Sequence, residues 1–150
     1  MDIRKYIDIL KEENKKVKAG MIVYYVENNI PYMAFMVSSN SDYGGPYPAI
    51  SKGNIDKGET EKQAAIREMN EEIGIDPKKL KKVFHVETTK IYELDNTYDL
   101  RLFGGLLNKK ENTHFGWETK EVKWFSPNEI SKIKKSHQPI VKTFLNFIQY

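Results

Sequence analysis

The sequence contains no cysteine. Disulfide bonds and thiolate metal sites are therefore excluded within its 150 residues. The first residues, MDIRKYIDILKEENKK, also lack an apolar run of the length that a signal peptide needs. We expect no targeting segment there, and the absence of cysteine is compatible with a cytoplasmic protein.

Neither sign of charge is in large excess. The chain has 24 basic and 21 acidic residues, and its formal net charge of +3 is too small to argue for general nucleic-acid binding. We expect neither DNA nor a membrane as a partner. A chain of 150 residues fits a single domain, residues 1–150, and can bury one substantial core. Both a monomer and a homodimer are compatible with this length.

The N-terminal segment has the period of an amphipathic helix. Its apolar positions recur at i, i+3, i+4 and i+7: Ile3, Tyr6, Ile7 and Leu10. This spacing predicts a helix with one apolar face. We expect that face to dock on the chain's own core, and a contact between two copies of the chain is the alternative.

Two pairs of segments predict β-hairpins. Ala19–Val26 and Ile30–Val37 are rich in β-branched and aromatic residues, and Asn28-Asn29 separates them as a turn signal. Lys82–Tyr92 and Tyr98–Leu107 form the second pair. Consecutive glycines within the last of these strands predict a bulge or a close approach of the backbone.

The end of the chain adds one strand and a closing helix. Thr119–Phe125 alternates like a half-buried strand, Ser126–Glu129 starts a short helix, and Gln138–Ile148 has the period of a longer one. Strands therefore lie on both sides of a helix in the middle of the chain. This order predicts an α/β fold with a mixed sheet covered by helices on both faces.

The central helix has clear start and stop signals. Thr60 and Gln63 form a capping box, and Gly74 supplies the stop. One side of this helix is apolar: Ala65, Ile66, Met69 and Ile73. We expect that side to pack on the sheet.

The neighbouring side of the same helix is acidic. Glu68, Glu71 and Glu72 fall within one arc of about 100°. Like charges at i,i+3 and i,i+4 repel, and anions at a helix C-terminus oppose the macrodipole. A bound divalent cation would reverse both effects, and carboxylate oxygens suit Mg²⁺ or Mn²⁺. The alternative is a solvated charged face without a ligand.

The segment from Gly53 to Ile75, GNIDKGETEKQAAIREMNEEIGI, resembles the Nudix box at every defined position. Nudix hydrolases cleave nucleoside diphosphates linked to another moiety, and the resemblance implies their α/β/α sandwich. It also implies that Glu59 and Arg67 hold the loop onto the helix. The remaining residues would supply metal ligands and a catalytic base: Gly53, Glu68, Glu71 and Glu72.

Two residues outside the box complete the predicted reaction site. Similar enzymes place an extra metal ligand or base where Glu118 lies, ahead of Trp124. Lys52 directly precedes Gly53, and enzymes of this family that act on dinucleoside polyphosphates carry a Lys-Gly pair at this place. The alternatives are a solvated loop glutamate and an ordinary surface lysine. Phosphoanhydride hydrolysis needs charge neutralisation, a positioned water and a base, which metal ions and clustered carboxylates can supply.

Tyr92 is the main indication of the substrate. The run from His85 to Tyr92 resembles a strand of dinucleoside polyphosphate hydrolases in which a tyrosine stacks on a base. Lys18–Tyr24 and Val122–Phe125 are similar to the same subgroup. The alternative is a strand tyrosine in the core or at its rim.

These observations predict a Mg²⁺-dependent Nudix hydrolase with a small nucleotide substrate, and Mn²⁺ is a possible substitute. The leading substrate is a dinucleoside polyphosphate such as diadenosine tetraphosphate. Triphosphorylated RNA 5′ ends and nucleoside triphosphates are the alternatives in the same class. A nucleotide-binding regulator without turnover is the alternative of another class, but a pure binder has little reason to keep a locally costly glutamate cluster.

Overall fold

A six-stranded mixed sheet is the centre of the structure, a computed structural model that describes residues 2–5, 16–40, 45–93 and 96–150. Its strands are β1 (Val17–Glu27), β2 (Ile30–Ser38), β3 (Ser51–Asn54), β4 (Leu80–Glu93), β5 (Asn96–Leu107) and β6 (Thr119–Phe125). The strand order is β4-β5-β1-β2-β6, and β3 pairs with β1. Only the β1–β5 pairing is parallel among these described strands.

In the described residues from 16 onward, two α-helices and three short 3₁₀ turns accompany the sheet. The helices are α1 (Glu61–Glu72) and α2 (Gln138–Phe147), and the 3₁₀ turns are Pro77–Lys79, Pro127–Lys132 and Lys135–His137. Within the described ranges, no helix is both long enough and apolar enough to cross a membrane. The predicted N-terminal helix depends on Tyr6, Ile7 and Leu10, which lie outside the described residues, and Ile3 is exposed.

The two faces of the sheet carry separate apolar cores. Along β1, Ile22 joins the core that includes Phe144 of α2, whereas Met21 joins the core that includes Met69 of α1. This alternation follows from the two-residue period of a strand. The predicted mixed sheet with helices on both faces is therefore confirmed, and it is an α/β/α sandwich.

Both predicted hairpins are confirmed. Asn28 and Asn29 join β1 to β2 with φ values of 52° and 64°, the left-handed backbone that a tight hairpin turn requires. In the second hairpin the strands are longer than predicted, because Glu93 already pairs with Asn96. The predicted connection over residues 93–97 was therefore too long.

The glycine pair of β5 provides room for packing rather than a bulge. A Cβ on Gly104 would meet the ring of Phe84, and one on Gly105 would lie 2.8 Å from the Sδ of Met21. The register shifts of this hairpin lie in β4 instead, beside Leu80 and His85. The close approach was predicted correctly, and the bulge was wrong for β5.

Strand β3 was not predicted, yet it carries the segment that leads into α1. It pairs with the start of β1, so that Gly53 lies opposite Ala19 and Ser51 opposite Met21. The sequence SKGN has low strand propensity, and pairing with a central strand overrides it. As a result, β3 and α1 lie side by side at the start of β1.

Candidate active site

Glu72 joins the last turn of α1 to β3. Its carboxylate accepts hydrogen bonds from the hydroxyl of Ser51 at 3.0 Å and from the backbone N–H of Lys52 at 2.8 Å. The residue is only 9% exposed. Burial, together with the negative charge of Glu68, raises the pKa of Glu72 to about 7. A buried carboxylate is therefore fixed in place beside β3.

Glu68 lies against the backbone of Gly53. A Cβ on Gly53 would collide with this carboxyl group, so the absence of a side chain allows the approach. Burial raises the pKa of Glu68, although a 2.8 Å ion pair with Arg67 opposes the shift. Gly53 thus provides the space in which the second carboxylate lies.

Arg67 fastens the loop before α1 to the helix. It donates to both carboxylate oxygens of Glu59, at 2.8 and 3.1 Å, and to the carbonyl of Asn54 at 2.9 Å. Glu59 also accepts from the backbone N–H of Asp56 at 2.9 Å. The hydrogen bonds from Arg67 lower the pKa of Glu59. The planar guanidinium suits this two-oxygen geometry, which a lysine cannot reproduce.

Glu71 and Glu118 are the solvent-exposed carboxylates of the site. Glu71 lies 3.4 Å from the guanidinium of Arg67. Glu118 is held through its backbone, because its carbonyl accepts from the N–H of Ser39 at 2.9 Å. Its carboxylate receives no hydrogen bond or ion pair from the described part of the chain, and its negative charge contributes to the raised pKa of Glu68.

The carboxylate oxygens of this site are the type of ligand that a hard divalent cation binds. Glu68 and Glu72 are removed from water, and burial raises the pKa of both. The neighbouring groups therefore do not fully stabilise the charged form of either carboxylate, and a bound cation would do so. However, no three histidine, aspartate or glutamate side chains of the described residues converge closely enough to hold a metal by themselves. Arg67 draws Glu68 and Glu71 toward itself. The protein therefore offers part of a coordination sphere, and substrate oxygens and water would have to complete it.

A cavity of about 500 Å³ opens beside these carboxylates, and both Glu72 and Glu118 line it. Three lysines line it as well: Lys18, Lys52 and Lys134. Burial, followed by the charge of Lys18, lowers the pKa of Lys52 to about 8. The ammonium groups of Lys18 and Lys52 lie 4.7 and 5.1 Å from the ring centroid of Tyr98, within cation–π range. Lysine and glutamate side chains therefore line the same cavity.

A buried polar cluster borders this cavity. Glu93 accepts from the hydroxyl of Tyr98 at 3.2 Å and pairs with Lys134 at 3.3 Å. His137 is fully buried; its Nδ1 accepts from the backbone N–H of Ile50 at 3.0 Å, and its Nε2 lies 3.6 Å from Glu93. The polar ring of His137 and the charge of Lys134 lower the pKa of Glu93 to about 2.

Tyr92 is 73% exposed and does not belong to the core. The alternative of a buried strand tyrosine is therefore wrong. It lines a second cavity, of about 660 Å³, together with Tyr47 and Lys134. Tyr47 and Lys134 also line the first cavity, so the two spaces adjoin. An exposed aromatic ring thus lies next to the cationic wall.

The sequence analysis missed several residues of this region: Lys18, Glu93, Tyr98, Lys134 and His137. Lys18 had no local signal, because it comes close to the segment containing Lys52 only through the pairing of β1 with β3, which was not predicted. Glu93 was assigned to a loop, although it is the last residue of β4. Nothing local marks His137 as buried.

The family model of the NUDIX domain matches residues 15–145. No curated protein matches the chain.

Several solved structures share the fold. The Ap4A hydrolase of C. elegans, in a binary complex, is 23% identical with a TM-score of 0.75, covering 89% of this chain and 97% of that one. The NUDIX domain of Shewanella oneidensis NrtR, complexed with ADP ribose, is 11% identical with a TM-score of 0.75, covering 99% and 100%. The E. coli dihydroneopterin triphosphate pyrophosphohydrolase is 20% identical with a TM-score of 0.70, covering 88% and 97%.

Proposed function

The chain belongs to the Nudix family of hydrolases, and within that family we propose that it hydrolyses dinucleoside polyphosphates such as diadenosine tetraphosphate. Cleavage of a phosphoanhydride bond in a nucleotide is the family's reaction. One observation carries the proposal: an exposed tyrosine, three lysines, Glu72 of the box and Glu118 line two adjoining cavities.

Tyr92 would bind one nucleobase by stacking. Its ring is exposed, so stacking requires no rearrangement of the core. It projects from β4, a strand paired with β5 over its whole length, and its partner in the register is Thr97. A rigid aromatic surface of this kind stabilises a stacked base by about 1–3 kcal/mol.

The lysines would bind the phosphate chain. Lys134 lines both cavities, whereas Lys18 and Lys52 line only the one beside the carboxylates. Glu93 neutralises part of the charge of Lys134 through the 3.3 Å pair. Lys18 and Lys52 lie over the ring of Tyr98 instead, and neither forms an ion pair with a carboxylate of the described residues, so both ammonium groups are available to an anionic ligand. Compact ammonium groups suit a polyphosphate that extends from Tyr92 toward α1.

Glu68 and Glu72, with Glu71, would hold Mg²⁺, and Gly53 would contribute its backbone. Nudix hydrolases generally need a divalent metal. When bound, such a cation neutralises phosphate charge and lowers the pKa of a coordinated water. The chain's own part is to fix the Glu72 carboxylate through Ser51 and the N–H of Lys52. Arg67 and Glu59 would keep the loop in the position that brings Gly53 against Glu68.

Glu118 would take the proton from the attacking water. Its carboxylate is exposed, lines the cavity and is free of the hydrogen bonds that immobilise Glu72. The backbone contact with Ser39 fixes its position at the edge of the site. Glu71 is the second candidate for this role, but its carboxylate lies 3.4 Å from the guanidinium of Arg67 and lines neither cavity.

A substrate panel tests the proposal. Specificity constants are measured in Mg²⁺ buffer for diadenosine tetraphosphate, ADP-ribose, dihydroneopterin triphosphate, ATP and 5′-triphosphorylated RNA. We expect the largest kcat/KM for diadenosine tetraphosphate. A larger value for RNA or ATP would replace the proposed substrate by one of the alternatives while leaving the hydrolase assignment intact.

A further inference from the structure

Trp117 is the most exposed large apolar side chain in the described part of the protein, with 86% of its surface accessible. It lies in the short turn before β6, directly ahead of Glu118. Its side chain lines the cavity that Glu72 and Glu118 also line. An exposed indole on the wall of a charged cavity is an unusual feature, because tryptophan normally buries most of its surface.

The turn that carries Trp117 is fastened to the end of α1. The N–H of Gly116 donates to the carbonyl of Glu71 at 3.0 Å, and the N–H of His114 donates to the carbonyl of Gly74 at 2.8 Å. On the other side of Trp117, the hydroxyl of Thr119 donates to the carbonyl of Glu72 at 2.7 Å. These bonds satisfy carbonyls that the helix end leaves free.

Gly74 makes this attachment possible. Its φ of 79° ends the helix, and a Cβ at this position would collide with the backbone of His114 and Phe115. The turn is therefore positioned by backbone contacts and not by the burial of Trp117. An aromatic side chain on a fixed backbone loses little conformational entropy when it binds a flat ligand.

Trp117 and Tyr92 lie on different parts of the joined cavities. Trp117 lines only the cavity with the carboxylates, Tyr92 lines only its neighbour, and Tyr47 and Lys134 line both. Each part of this space thus has an exposed aromatic side chain of its own, Trp117 in one and Tyr92 in the other, and the exposed Tyr47 lies where the two parts meet. A ligand with a base at each end of a polyphosphate matches this order of groups.

We propose that Trp117 is a second nucleobase-binding residue, which stacks on the base at the opposite end of the polyphosphate from Tyr92. The inference rests on the proposed function, and it makes the enzyme specific for substrates with two nucleosides. Stacking on an indole tolerates any base, since every base has a π face. Trp117 therefore selects for the presence of a second base and not for its identity.

Two tetraphosphates that differ in one nucleoside test this role. Trp117→Ala is compared with wild type on diadenosine tetraphosphate and on adenosine 5′-tetraphosphate, which has a single base. We expect KM for diadenosine tetraphosphate to rise about tenfold. KM for adenosine tetraphosphate should stay within about twofold, because that substrate places its only base at Tyr92. Trp117→Phe should resemble wild type on both.

Phe115 offers a matched control on the same loop. It is 36% exposed but does not line either cavity. Phe115→Ala should leave both KM values unchanged. If Trp117→Ala changes KM for both substrates equally, or for neither, the proposed role of Trp117 is wrong. The proposed function of the enzyme is not affected by that result. Wild-type enzyme without activity on diadenosine tetraphosphate would overturn the proposed function together with this inference.

Fluorescence gives a readout that does not depend on turnover. The protein has two tryptophans, and Trp124 packs 5.3 Å from the ring of Tyr25 on the face of the sheet that α1 covers. Titration with an analogue of diadenosine tetraphosphate in which methylene groups replace both α,β bridging oxygens, so that it cannot be cleaved to AMP and ATP, should quench wild-type emission. The Trp117→Phe variant, in which Trp124 is the remaining fluorophore, should show little quenching. Equal quenching of the two proteins would contradict stacking on Trp117.

Discussion

The carboxylate of Glu72 accepts a 2.8 Å hydrogen bond from the backbone N–H of Lys52. This contact joins the acidic end of α1 to β3. A carboxylate proposed to hold a cation and a lysine proposed to bind phosphate are thereby held at a fixed separation. Because effective catalysis depends on the relative placement of such groups, this contact links the fold to the reaction.

Glu72→Gln tests the need for a charged group at this position. The amide oxygen of glutamine can still accept from Lys52 and Ser51, so the fold should be retained. The negative charge is lost, and we expect kcat to fall at least about a hundredfold, or some 2.7 kcal/mol of barrier. Steady-state kinetics in Mg²⁺ buffer, with circular dichroism to verify the fold, measure the effect.

Glu61→Gln is the control for that substitution. Glu61 lies at the other end of α1, where it pairs with Arg101 at 3.1 Å, and it lines neither cavity. Its removal should change kcat by less than about twofold, because a largely exposed ion pair contributes little. A Glu72→Gln enzyme as fast as this control would show that Glu72 is only structural.

Gly53→Ala should disable the site through a single methyl group. The added Cβ would occupy the space of the Glu68 carboxyl group and displace it. A misplacement of about 1 Å in a catalytic group can cost about a hundredfold in rate, and we expect a loss of that order. Asn54→Ala is the neighbouring control, since only the backbone carbonyl of Asn54 contacts Arg67. Similar kinetics for the two variants would refute a role for the space at Gly53.

The elements that the sequence predicted best have local signals. The capping box of Thr60 and Gln63 forms as expected, with hydrogen bonds of 2.8 and 3.1 Å, and Gly74 ends the helix. Asn28-Asn29 specifies its hairpin by turn geometry alone. The acidic face of α1 was also predictable, because helical periodicity fixes which side chains share a face.

The part of the site beyond α1 could not be predicted in the same way. Lys18 and His137 line the same cavity, and Glu93 lies beside His137, only because β1, β4 and the segment before α2 converge. These contacts join residues far apart in the chain, and no periodicity relates them. Strand β3 was missed for the same reason, since its pairing with β1 and not its composition makes it a strand.

His137 should make the fold sensitive to acid. Burial lowers its pKa from 6.5 to about 4, and the charges of Lys52 and Lys134 add to that shift while Glu93 opposes it. Between these pH values the unfolded chain binds a proton at His137 and the folded chain does not. Stability should therefore fall as the pH drops from 6.5 to 4, by up to about 3 kcal/mol from this residue.

His137→Asn separates this effect from other titrations. The side-chain oxygen of asparagine can accept the Ile50 N–H in place of Nδ1, but it cannot be protonated. Urea unfolding at about pH 7, 5.5 and 4.5 gives the free energy of unfolding for both proteins. We expect the difference between wild type and variant to shrink or reverse with falling pH, and parallel curves would contradict a buried neutral histidine.

Tyr92→Ala tests base stacking at the first subsite. KM for diadenosine tetraphosphate should rise about tenfold, whereas Tyr92→Phe should largely preserve it, because stacking uses the ring face and not the hydroxyl. Tyr92 is exposed, so both variants should unfold like wild type. Tyr150→Ala removes another exposed tyrosine that lines neither cavity. If Tyr92→Ala behaves like this control, stacking is ruled out and the RNA and nucleoside triphosphate substrates gain support.

The most direct measurement is the identity of the products from diadenosine tetraphosphate in ¹⁸O-labelled water. With Mg²⁺ present, we predict equal amounts of AMP and ATP, with one labelled oxygen in one of the two products. Addition of a chelator should abolish turnover, and Mg²⁺ should restore it. Folded enzyme that leaves the substrate intact, or that cleaves it equally well in the chelator, would contradict the account.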